Sequence, residues 1–589
     1  MYSDKNIVNL LTSLLIAKGI KKAVVCPGSR NIPIISNLRT VKEIECISVI
    51  DERSAAFYAL GVSLATGTPT IVCVTSGSAF LNTLPAIAEA HYRQVPIILI
   101  SADRPQEWIE RNDGQTMVQC GPTYGLFNSE VDVNDISNGE AENYSSLLIN
   151  NALNAALRDN RGPVHINIHL HEPLFDFNKT SLPEKKDIEF LQAEKVLPYR
   201  AMEIIKDFIL SERKIIVIGQ LPYHDEEIDM IVKELKMYYI VMCEQLSTAS
   251  AEPIDAIVDI FEDNSAIENI DMVLSLGNTL VSKNTKRYLR TKKISSLWEI
   301  NDNGIIHDTF MSQTGIIDCS CKLFLKALLR LTKENYKEKQ TEKTGNADNE
   351  ISQDILKTHW DKAITHIEMC IDDYVPVYSQ MLAIRCFEQS LEDMEYESEV
   401  HYANSMEIRI GCLYSPHYIW CNRGVNGIEG SVSTAAGFSL TTSSMVFCIT
   451  GDLSFFYDQN ALWNNHLKGN FRVMILNNNC GGIFSQLKGL NIPDGIMKYV
   501  EGRHTATAKG ICEQNDIGYM AVRDEEELRI SMAHFLIEKT NRPIVLEVFT
   551  SPDDDRQAFV GLKKMINLKS ASNLNGNLNC SKELEHYAS

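Results

Sequence analysis

Short apolar runs alternate with longer segments of mixed polarity along most of this chain. Over the first third, the pattern predicts helices at residues 6–18, 54–65 and 79–93, and strands at residues 22–26, 70–75 and 96–101. Strands that alternate with helices of this length form parallel sheets covered by helices on both faces. The sequence therefore predicts a doubly wound α/β domain at residues 1–182.

The same alternation recurs twice farther along the chain. Residues 196–332 and residues 355–568 each carry further apolar runs separated by helix-like segments. The polar, mixed-charge segment 333–349 between them predicts a flexible linker or an exposed excursion. The tail 569–589 is rich in Ser and Asn, and we expect it to be disordered. The predicted fold class is α/β, with three doubly wound parallel-sheet domains.

Composition limits the partners and the compartment. The 589 residues are too many for one hydrophobic core, and 44% hydrophobic content is enough for three. A net charge of −21 argues against binding to nucleic acid or to an anionic membrane surface. The 15 cysteines lack disulfide-like spacing, which favours a reducing compartment. Without a signal peptide or a membrane-length apolar run, we expect a cytoplasmic protein with no membrane insertion.

Two apolar runs of the third region end in polar residues that suit a metal ion. Residues 445–449 lead into Gly451 and Asp452, and residues 471–476 lead into Asn478. A crossover connection brings both ends to one edge of a sheet, where α/β domains bind ligands. The Asp452 carboxylate, the Asn478 amide and a backbone carbonyl just beyond are hard oxygen ligands suited to Mg²⁺ and phosphate. Ordinary turns at both places are the alternative reading.

Two neighbouring residues fit a bound phosphate. Gly451 has no Cβ where the backbone would approach phosphate, and Ser454 offers a hydroxyl near a helix start. The spacing of Asp452 and Asn478 resembles the diphosphate motif of thiamine diphosphate enzymes, although Leu453 stands where that motif usually has Gly.

The loop after Asn478 narrows the resemblance to one branch of that family. With Gly481-Gly482-Ile483-Phe484, it is similar to the transferases that make 2-succinyl-5-enolpyruvyl-6-hydroxy-3-cyclohexene-1-carboxylate for menaquinone biosynthesis. The resemblance implies thiamine diphosphate and Mg²⁺ (or Mn²⁺) as cofactors. It implies that Asp452, Asn478 and the Cys480 carbonyl bind the metal. Cys480 stands where the family commonly has Gly, which could restrict the backbone there.

The resemblance assigns Glu52 the catalytic role. In the family, one glutamate hydrogen-bonds the pyrimidine nitrogen of thiamine diphosphate, so that the cofactor can lose its C2 proton. From the residues alone, a favourable interaction with a helix dipole is the simpler interpretation of Glu52. Because Glu52 and Asp452 lie in different domains, the resemblance implies a homodimer, or a dimer of dimers, with the cofactor between subunits.

Other residues match family positions that face cofactor or substrate. Ser405 would contact the diphosphate, and Ile428 would hold the cofactor in its bent form. The implied substrate-binding residues are Ser29, Arg30, Arg104, Gln115, Lys283, Arg409 and Arg423. Asn284 stands where an Arg often follows the family lysine. Taken one at a time, each of these residues could equally be an ordinary loop or core residue.

The implied substrates are 2-oxoglutarate, which loses CO₂, and isochorismate, which accepts the remaining succinyl semialdehyde unit. Both are dicarboxylates, and desolvated contacts to Arg or Lys at about 4 Å are worth a few kcal/mol each.

Two alternatives remain open. One is another thiamine diphosphate enzyme, an acetolactate synthase or a 2-oxoacid decarboxylase, which would need fewer cations. The other is a catalytically silent regulatory relative, against which Glu52, Asp452 and Asn478 argue together.

Overall fold

The structure is a computed structural model that describes residues 1–574, except 124, 160, 185–186, 266, 342–350 and 484–494. These described residues form three successive α/β domains, each built on one parallel sheet. The predicted fold class is confirmed. No helix in this part of the chain is long and apolar enough to cross a membrane.

The first domain contains helices α1 Asn6–Ala17, α2 Ile32–Thr40, α3 Glu52–Thr66, α4 Ser78–Arg93 and α5 Gly139–Leu157. Its strands are β1 Lys22–Val25, β2 Glu45–Ser48, β3 Thr70–Val74, β4 Ile97–Asp103, β5 Ser129–Val133 and β6 Val164–His169. Over the described residues the sheet order is β2-β1-β3-β4-β6-β5, and every pair is parallel. The loops that follow these strands therefore share one edge of the sheet.

The second domain contains helices α6 Tyr199–Leu210, α7 Glu226–Leu235, α8 Ile254–Ser265, α9 Lys283–Thr291 and α10 Cys321–Thr341. Its strands are β7 Lys214–Ile218, β8 Ile240–Cys243, β9 Asn269–Leu276, β10 Lys293–Asn301 and β11 Gly315–Asp318, in the sheet order β11-β10-β9-β7-β8.

The predicted flexible segment 333–349 is partly wrong, because α10 continues through Thr341. Tyr336 packs edge-on against Tyr238 at 5.6 Å between ring centroids, and Lys333 pairs with Glu234 at 2.6 Å. These contacts to the α7 region extend the helix beyond its apolar pattern. The rest of that segment lies outside the described residues.

The third domain contains helices α11 Ile351–Asp373, α12 Gln380–Glu392, α13 Met406–Tyr414, α14 Ser431–Ser439, α15 Asp452–Tyr457, α16 Met497–Val500, α17 Lys509–Gln514, α18 Glu525–Ile537 and α19 Pro552–Leu574. Its strands are β12 Ser398–Tyr402, β13 Met445–Gly451, β14 Phe471–Asn477, β15 Gly518–Val522 and β16 Ile544–Phe549, in the sheet order β12-β13-β14-β16-β15.

The predicted disordered tail is wrong at its start. Helix α19 runs through residue 574, and Lys569 pairs there with Asp373 of α11 at 2.5 Å. Packing on another helix thus stabilises a segment whose composition alone favours disorder. Residues 575–589 lie outside the described part of the chain.

Helices α3 and α14 join the first and third domains. A Cβ at Gly61 would lie 1.9 Å from the Thr434 carbonyl oxygen, and a Cβ at Gly437 would lie 2.2 Å from the Tyr58 carbonyl oxygen. The Tyr58 hydroxyl also donates to the Ala461 carbonyl at 2.5 Å. Small residues therefore let the two helices approach more closely than side chains would allow.

Candidate functional site

The third sheet brings two of the predicted strand ends together. β13 and β14 are adjacent and parallel, with Gly451 in register with Leu476. The connection between them contains the short helix α15 and a 3₁₀ helix, Gln459–Leu462. Asp452 therefore begins a helix at the edge where β14 leads into Asn478, as the strand pairing predicted.

Asp452 is buried, and only one of its carboxylate oxygens is hydrogen-bonded. Oδ1 accepts from the Leu453 amide at 2.7 Å. Oδ2 pairs with His504, whose Nε2 lies 3.1 Å away, although the approach lacks hydrogen-bond geometry. Burial, opposed in part by His504, raises the pKa of Asp452. A buried carboxylate whose charge is only partly compensated is costly, and a metal cation would offset that cost.

Asn478 is oriented by a second carboxylate. Its Nδ2 donates to Asp555 Oδ2 at 2.9 Å, and its Oδ1 accepts from the Cys480 amide at 3.2 Å. Asp555 thus determines which end of the amide is the oxygen, as partners behind metal ligands commonly do. The left-handed residue in this loop is Asn479, with φ 61°, so the backbone restriction expected at Cys480 does not arise.

A third carboxylate, Glu407 of α13, lies beside the site. A Cβ at Gly451 would lie 2.3 Å from Glu407 Oε1, and Glu407 Oε2 has no hydrogen-bond partner among the described residues. Burial, together with the charges of Asp452 and Asp555, raises the pKa of Glu407 to about 8. Mutually repelling carboxylates and an amide oxygen form a hard-oxygen environment that fits Mg²⁺.

The remaining predicted cofactor residues lie on loops around this edge. Ser405 precedes α13 with φ 95°, a conformation that costs energy outside glycine. Asn404 supports it by donating from Nδ2 to the carbonyls of Asn422 and Gly427, at 2.5 and 2.6 Å. The Ser454 hydroxyl donates to the Ile428 carbonyl at 2.5 Å. The Ile428 side chain is 40% exposed, so it has a free apolar face.

Glu52 is the first residue of α3, but it does not cap the helix. Asp51 does so, accepting from the amides of Arg53 and Ser54. Glu52 itself has one long contact, from Asn82 Nδ2 to Oε2 at 3.5 Å. Its carboxylate therefore does not cap α3, although it lies in the first turn, where a helix dipole favours a negative charge.

Arg30 and Arg104 lie together at the same edge of the first sheet. Arg30 is buried, donates to the Leu170 carbonyl at 2.9 Å and pairs with Glu172 at 3.1 Å. Burial, and next the charge of Arg104, lower the pKa of Arg30. Arg104 Nε is buried without a partner among the described residues. Two adjacent guanidinium groups are an arrangement suited to an anion.

Ser29 and Gln115 are exposed on loops at this edge. Gln115 has φ 59°, and a Cβ at Gly77 would lie 3.2 Å from the Gln115 Cβ. The Gly77 amide donates to Gln119 Oε1 at 2.7 Å. A glycine is required between β3 and α4 because the Gln115 loop packs directly on it.

Arg409 and Arg423 approach one segment of the second domain. Arg409 reaches the Val281 carbonyl at 3.5 Å, and Arg423 reaches the Leu280 carbonyl at 3.4 Å. Arg409 lines a cavity of about 610 Å³ between the second and third domains. Arg423 lines a smaller cavity of about 230 Å³ together with Lys286. Both guanidinium groups therefore border open space.

Lys283 does not join these arginines. It is the exposed first residue of α9, and the half-buried lysine one turn later is Lys286. Burial, and next the charge of Arg423, lower the pKa of Lys286. Lys286 thus lies near Arg423, whereas the family resemblance implies the substrate role for Lys283, one turn earlier.

Within one chain the predicted residues form separate groups. Glu52, Arg30 and Arg104 lie at the first sheet, whereas Asp452, Asn478, Arg409 and Arg423 lie in the third domain. The residues flanking Glu52 contact the end of α15 farther from Asp452: Arg53 donates to the Tyr457 carbonyl at 2.5 Å, and Asn460 donates to Asp51 at 2.6 Å.

Sequence reasoning missed several residues of these groups. They are Glu407, His504, Asp555, Gln119 and Lys286. An acidic residue between Met406 and Ile408 at an apolar helix start was the one available signal for Glu407. Contacts between distant segments bring in the others.

Comparisons with known proteins cover all three domains. Residues 5–121 match the family model described as thiamine pyrophosphate enzyme, N-terminal TPP binding domain. Residues 185–377 match the one described as middle domain of thiamine pyrophosphate.

Several curated proteins named 2-succinyl-5-enolpyruvyl-6-hydroxy-3-cyclohexene-1-carboxylate synthase are similar to the chain. The protein from Phocaeicola vulgatus is 36% identical over 586 residues, covering 96% of this chain and 99% of its own. One from Bacteroides fragilis is 36% identical, covering 94% and 98%. One from Flavobacterium johnsoniae is 33% identical, covering 91% and 94%. The similarity therefore extends through the third domain and its strand ends.

Proposed function

Because this chain belongs to the family of thiamine diphosphate-dependent 2-succinyl-5-enolpyruvyl-6-hydroxy-3-cyclohexene-1-carboxylate synthases, we propose that it performs the family's transferase reaction. In that reaction 2-oxoglutarate is decarboxylated and the succinyl semialdehyde unit adds to isochorismate in a conjugate addition. The observation that carries this proposal is similarity over almost the whole of both chains. The oxygen-rich edge of the third sheet supports it.

The cofactor's diphosphate and its Mg²⁺ (or Mn²⁺) would be held at that edge. Asp452, the Asn478 amide oxygen and the Cys480 carbonyl would bind the metal, and Gly451, Ser405 and Ser454 would border the diphosphate. The buried carboxylates of Asp452 and Glu407, which face the same edge of the sheet, support this assignment. Bound thiamine diphosphate supplies the stabilised carbanion that decarboxylation requires.

Glu52 would hold the proton at the cofactor's pyrimidine nitrogen. Its spare carboxylate supports this role, since Asp51 already caps α3. Ile428 would press on the cofactor from its exposed apolar face. General acid–base assistance of the kind assigned to Glu52 is typically worth 10²–10⁴-fold in rate.

The substrates' carboxylates would be bound by two arginine pairs. Arg30 and Arg104, with Ser29 and Gln115 beside them, would hold isochorismate. Arg409 and Arg423 would hold 2-oxoglutarate. In a protein of net charge −21, such local cations are needed to attract dianions.

Two chains would complete each site. The groups around Glu52 and around Asp452 are separate within one chain, so a homodimer, or a dimer of such dimers, would bring the first domain of one subunit to the third domain of its partner. We place this assembly in the cytoplasm, an assignment supported by the fourteen described cysteines, all of which are unpaired.

The deciding experiment is CO₂ release from 2-oxoglutarate with thiamine diphosphate and Mg²⁺, with and without isochorismate. We expect turnover that depends on isochorismate and yields the coupled product. Preference for pyruvate would instead indicate an acetolactate synthase or a 2-oxoacid decarboxylase. Tight cofactor binding without turnover of any of these substrates would indicate a silent regulatory relative.

A further inference from the structure

A ladder of polar side chains crosses the first sheet behind the arginine pair. On β6 it contains His165, Asn167 and His169, all buried on one face. On the neighbouring strands it contains Ser101, Asp103, Glu130 and Asp132, in register with them. Strands of a doubly covered parallel sheet are normally apolar, so this polar ladder is costly unless every group is paired.

Asn167 is the centre of the polar ladder and uses both ends of its amide. Its Nδ2 donates to Asp103 at 2.9 Å and to Asp132 at 2.8 Å. Its Oδ1 accepts from Ser101 at 2.6 Å and from Gln119 at 2.8 Å. Since Gln119 in turn accepts from Gly77, on which the Gln115 loop packs, Asn167 is connected to one predicted substrate residue.

His169 connects the polar ladder to a second predicted substrate-binding residue, Arg104. Its Nδ1 lies 2.5 Å from the Arg104 carbonyl oxygen, and its Nε2 lies 2.9 Å from Asp132 Oδ1. The Nε2 approach to Asp132 lacks hydrogen-bond geometry, but a carbonyl and a carboxylate both accept, so the ring can donate to both only as an imidazolium. Although burial alone would lower it, the pKa of His169 is raised by Asp132, by the Arg104 carbonyl and by Asp103.

We propose that His169 is a positioning residue for isochorismate: its imidazolium fixes the Arg104 backbone and so directs the Arg104 guanidinium at a substrate carboxylate. The inference rests on the proposed function, which assigns Arg104 to that substrate. His169 is 3% exposed, so it acts through Arg104 and does not touch the substrate. Through Asn167, Gln119 and Gly77, the rest of the polar ladder fixes the position of the Gln115 loop relative to Arg104.

Affinity for isochorismate is therefore expected to depend on pH. Four charged groups face His169. Asp103 ends β4, Arg104 follows it, and Glu107 lies in the 3₁₀ turn Gln106–Trp108 just beyond; Asp132 lies on β5. As the pH rises above 6.5 and through the raised pKa of His169, the ring loses a proton. It can then no longer donate both to Asp132 and to the Arg104 carbonyl. The substrate carboxylates stay ionised throughout. KM for isochorismate should rise with pH, while KM for 2-oxoglutarate should not follow it.

The test compares three variants of the full-length enzyme by steady-state kinetics between about pH 6.5 and 8.5, a window that brackets a raised histidine pKa. His169→Gln retains a donor toward Asp132 but loses the one toward the Arg104 carbonyl. His169→Asn retains a donor near Nδ1 and should rescue part of the affinity. His171→Gln is the matched control, because His171 is exposed and pairs with Glu107 at 2.9 Å.

At pH 6.5 we expect His169→Gln to raise KM for isochorismate roughly tenfold, with kcat and KM for 2-oxoglutarate changed by less than about twofold. Both His169 variants should lose the pH dependence, and His171→Gln should keep it. A parental KM that is flat with pH overturns the proposal, even if a variant fails to fold. So does an equal loss in both substrates together with lowered thermal stability, which would mark a merely structural residue.

Failure of the proposed function is recognised separately. If the parent enzyme does not convert 2-oxoglutarate and isochorismate at any pH, both proposals fall together. If the parent is active and the His169 variants match it in KM and pH profile, the positioning role of His169 falls alone.

Discussion

Asp452 is a buried carboxylate whose Oδ2 has only His504 beside it, at 3.1 Å, and a metal cation there would be stabilising. Asp452→Asn keeps the shape but removes the charge. We expect the affinity for thiamine diphosphate with Mg²⁺ to fall by roughly tenfold or more, because Mg²⁺ gives up its waters reluctantly and would lose the one charged ligand among its three protein ligands. Calorimetric titration of the cofactor measures the change.

The matched control for Asp452 is Asp553→Asn. Its carboxylate is 81% exposed on the first turn of α19, two residues from Asp555, and its loss changes the net charge equally. Cofactor affinity in the control should equal that of the parent. Equal affinities in all three proteins would remove Asp452 from the metal site.

Glu52 has a carboxylate that no capping role occupies. In Glu52→Gln the side chain keeps its size but cannot hold the proton at the pyrimidine nitrogen. We expect activity to fall by about 10²–10⁴-fold with little change in cofactor affinity, since the diphosphate is bound elsewhere. Hydrogen–deuterium exchange at C2 of the bound cofactor should slow in the same proportion.

Glu45→Gln is the comparison for that exchange rate. Glu45 lies on β2, pairs with Lys22 at 2.5 Å and is 63% exposed. Cofactor bound to Glu45→Gln should exchange its C2 proton as fast as cofactor bound to the parent. If C2 exchange were as fast in Glu52→Gln as in Glu45→Gln, Glu52 would not take part in the proton transfer.

At the scale of elements, the close approach of α3 and α14 depends on Gly61. Alanine is normally the better helix former by about 0.5–1 kcal/mol. At Gly61 the new Cβ would lie 1.9 Å from the Thr434 carbonyl, so overpacking should dominate and cost about 1–3 kcal/mol. We expect Gly61→Ala to lower the apparent melting temperature.

Gly510→Ala provides the contrast within the same chain. Gly510 lies in α17, and nothing lies within 4 Å of its added Cβ. This substitution should leave the melting temperature unchanged or raise it. If Gly61→Ala were as stable as Gly510→Ala, the two helices would be able to separate without cost.

Helix α9 carries Lys283 and Lys286 one turn apart. Lys286 is half-buried near Arg423, and Lys283 is exposed. Lys286→Gln should raise the KM of a substrate by roughly tenfold, because an anion near it would lose a half-buried charge partner. Lys283→Gln should behave as the parent, since Lys283 is exposed. Steady-state KM values for both substrates decide between them. The opposite result would return the role to Lys283, as the family resemblance implied.

At the scale of the whole molecule, the separate groups predict that two chains share each site. Glu52→Gln and Asp452→Asn chains should both be nearly inactive alone. In randomly mixed dimers, one site of each mixed pair combines both defects and the other has neither, so about a quarter of parental activity should return. Co-expression with two affinity tags measures it: the unfractionated mixture should show about a quarter of parental activity, and the mixed dimers purified through both tags about half.

Mixed chains that stay inactive would show that Glu52 and Asp452 serve the same site within one chain. The control for subunit exchange is a mixture of Glu52→Gln with itself under both tags, which should remain inactive. Recovery therefore depends on the two residues coming from different chains.

The sequence by itself determined the fold class and the placement of Asp452 and Asn478 at one edge of a sheet. Alternating helices and strands are local patterns, because each element is specified by the spacing of its own apolar residues. Asp452 and Asn478 were predictable for the same reason, since parallel strands end at one edge. The comparisons confirm the family that their spacing suggested.

Only the tertiary structure decided which partners surround those residues. Glu407, His504 and Asp555 come from segments far from Asp452 in the chain, and Lys286 is half-buried near Arg423 while Lys283 on the same helix is exposed. Helix α10 extends beyond its apolar pattern because Lys333 pairs with Glu234 of α7 and Tyr336 packs on Tyr238 just after α7. Contacts between distant segments leave no periodic signal in the sequence, and the burial that shifts a pKa exists only after the segments meet.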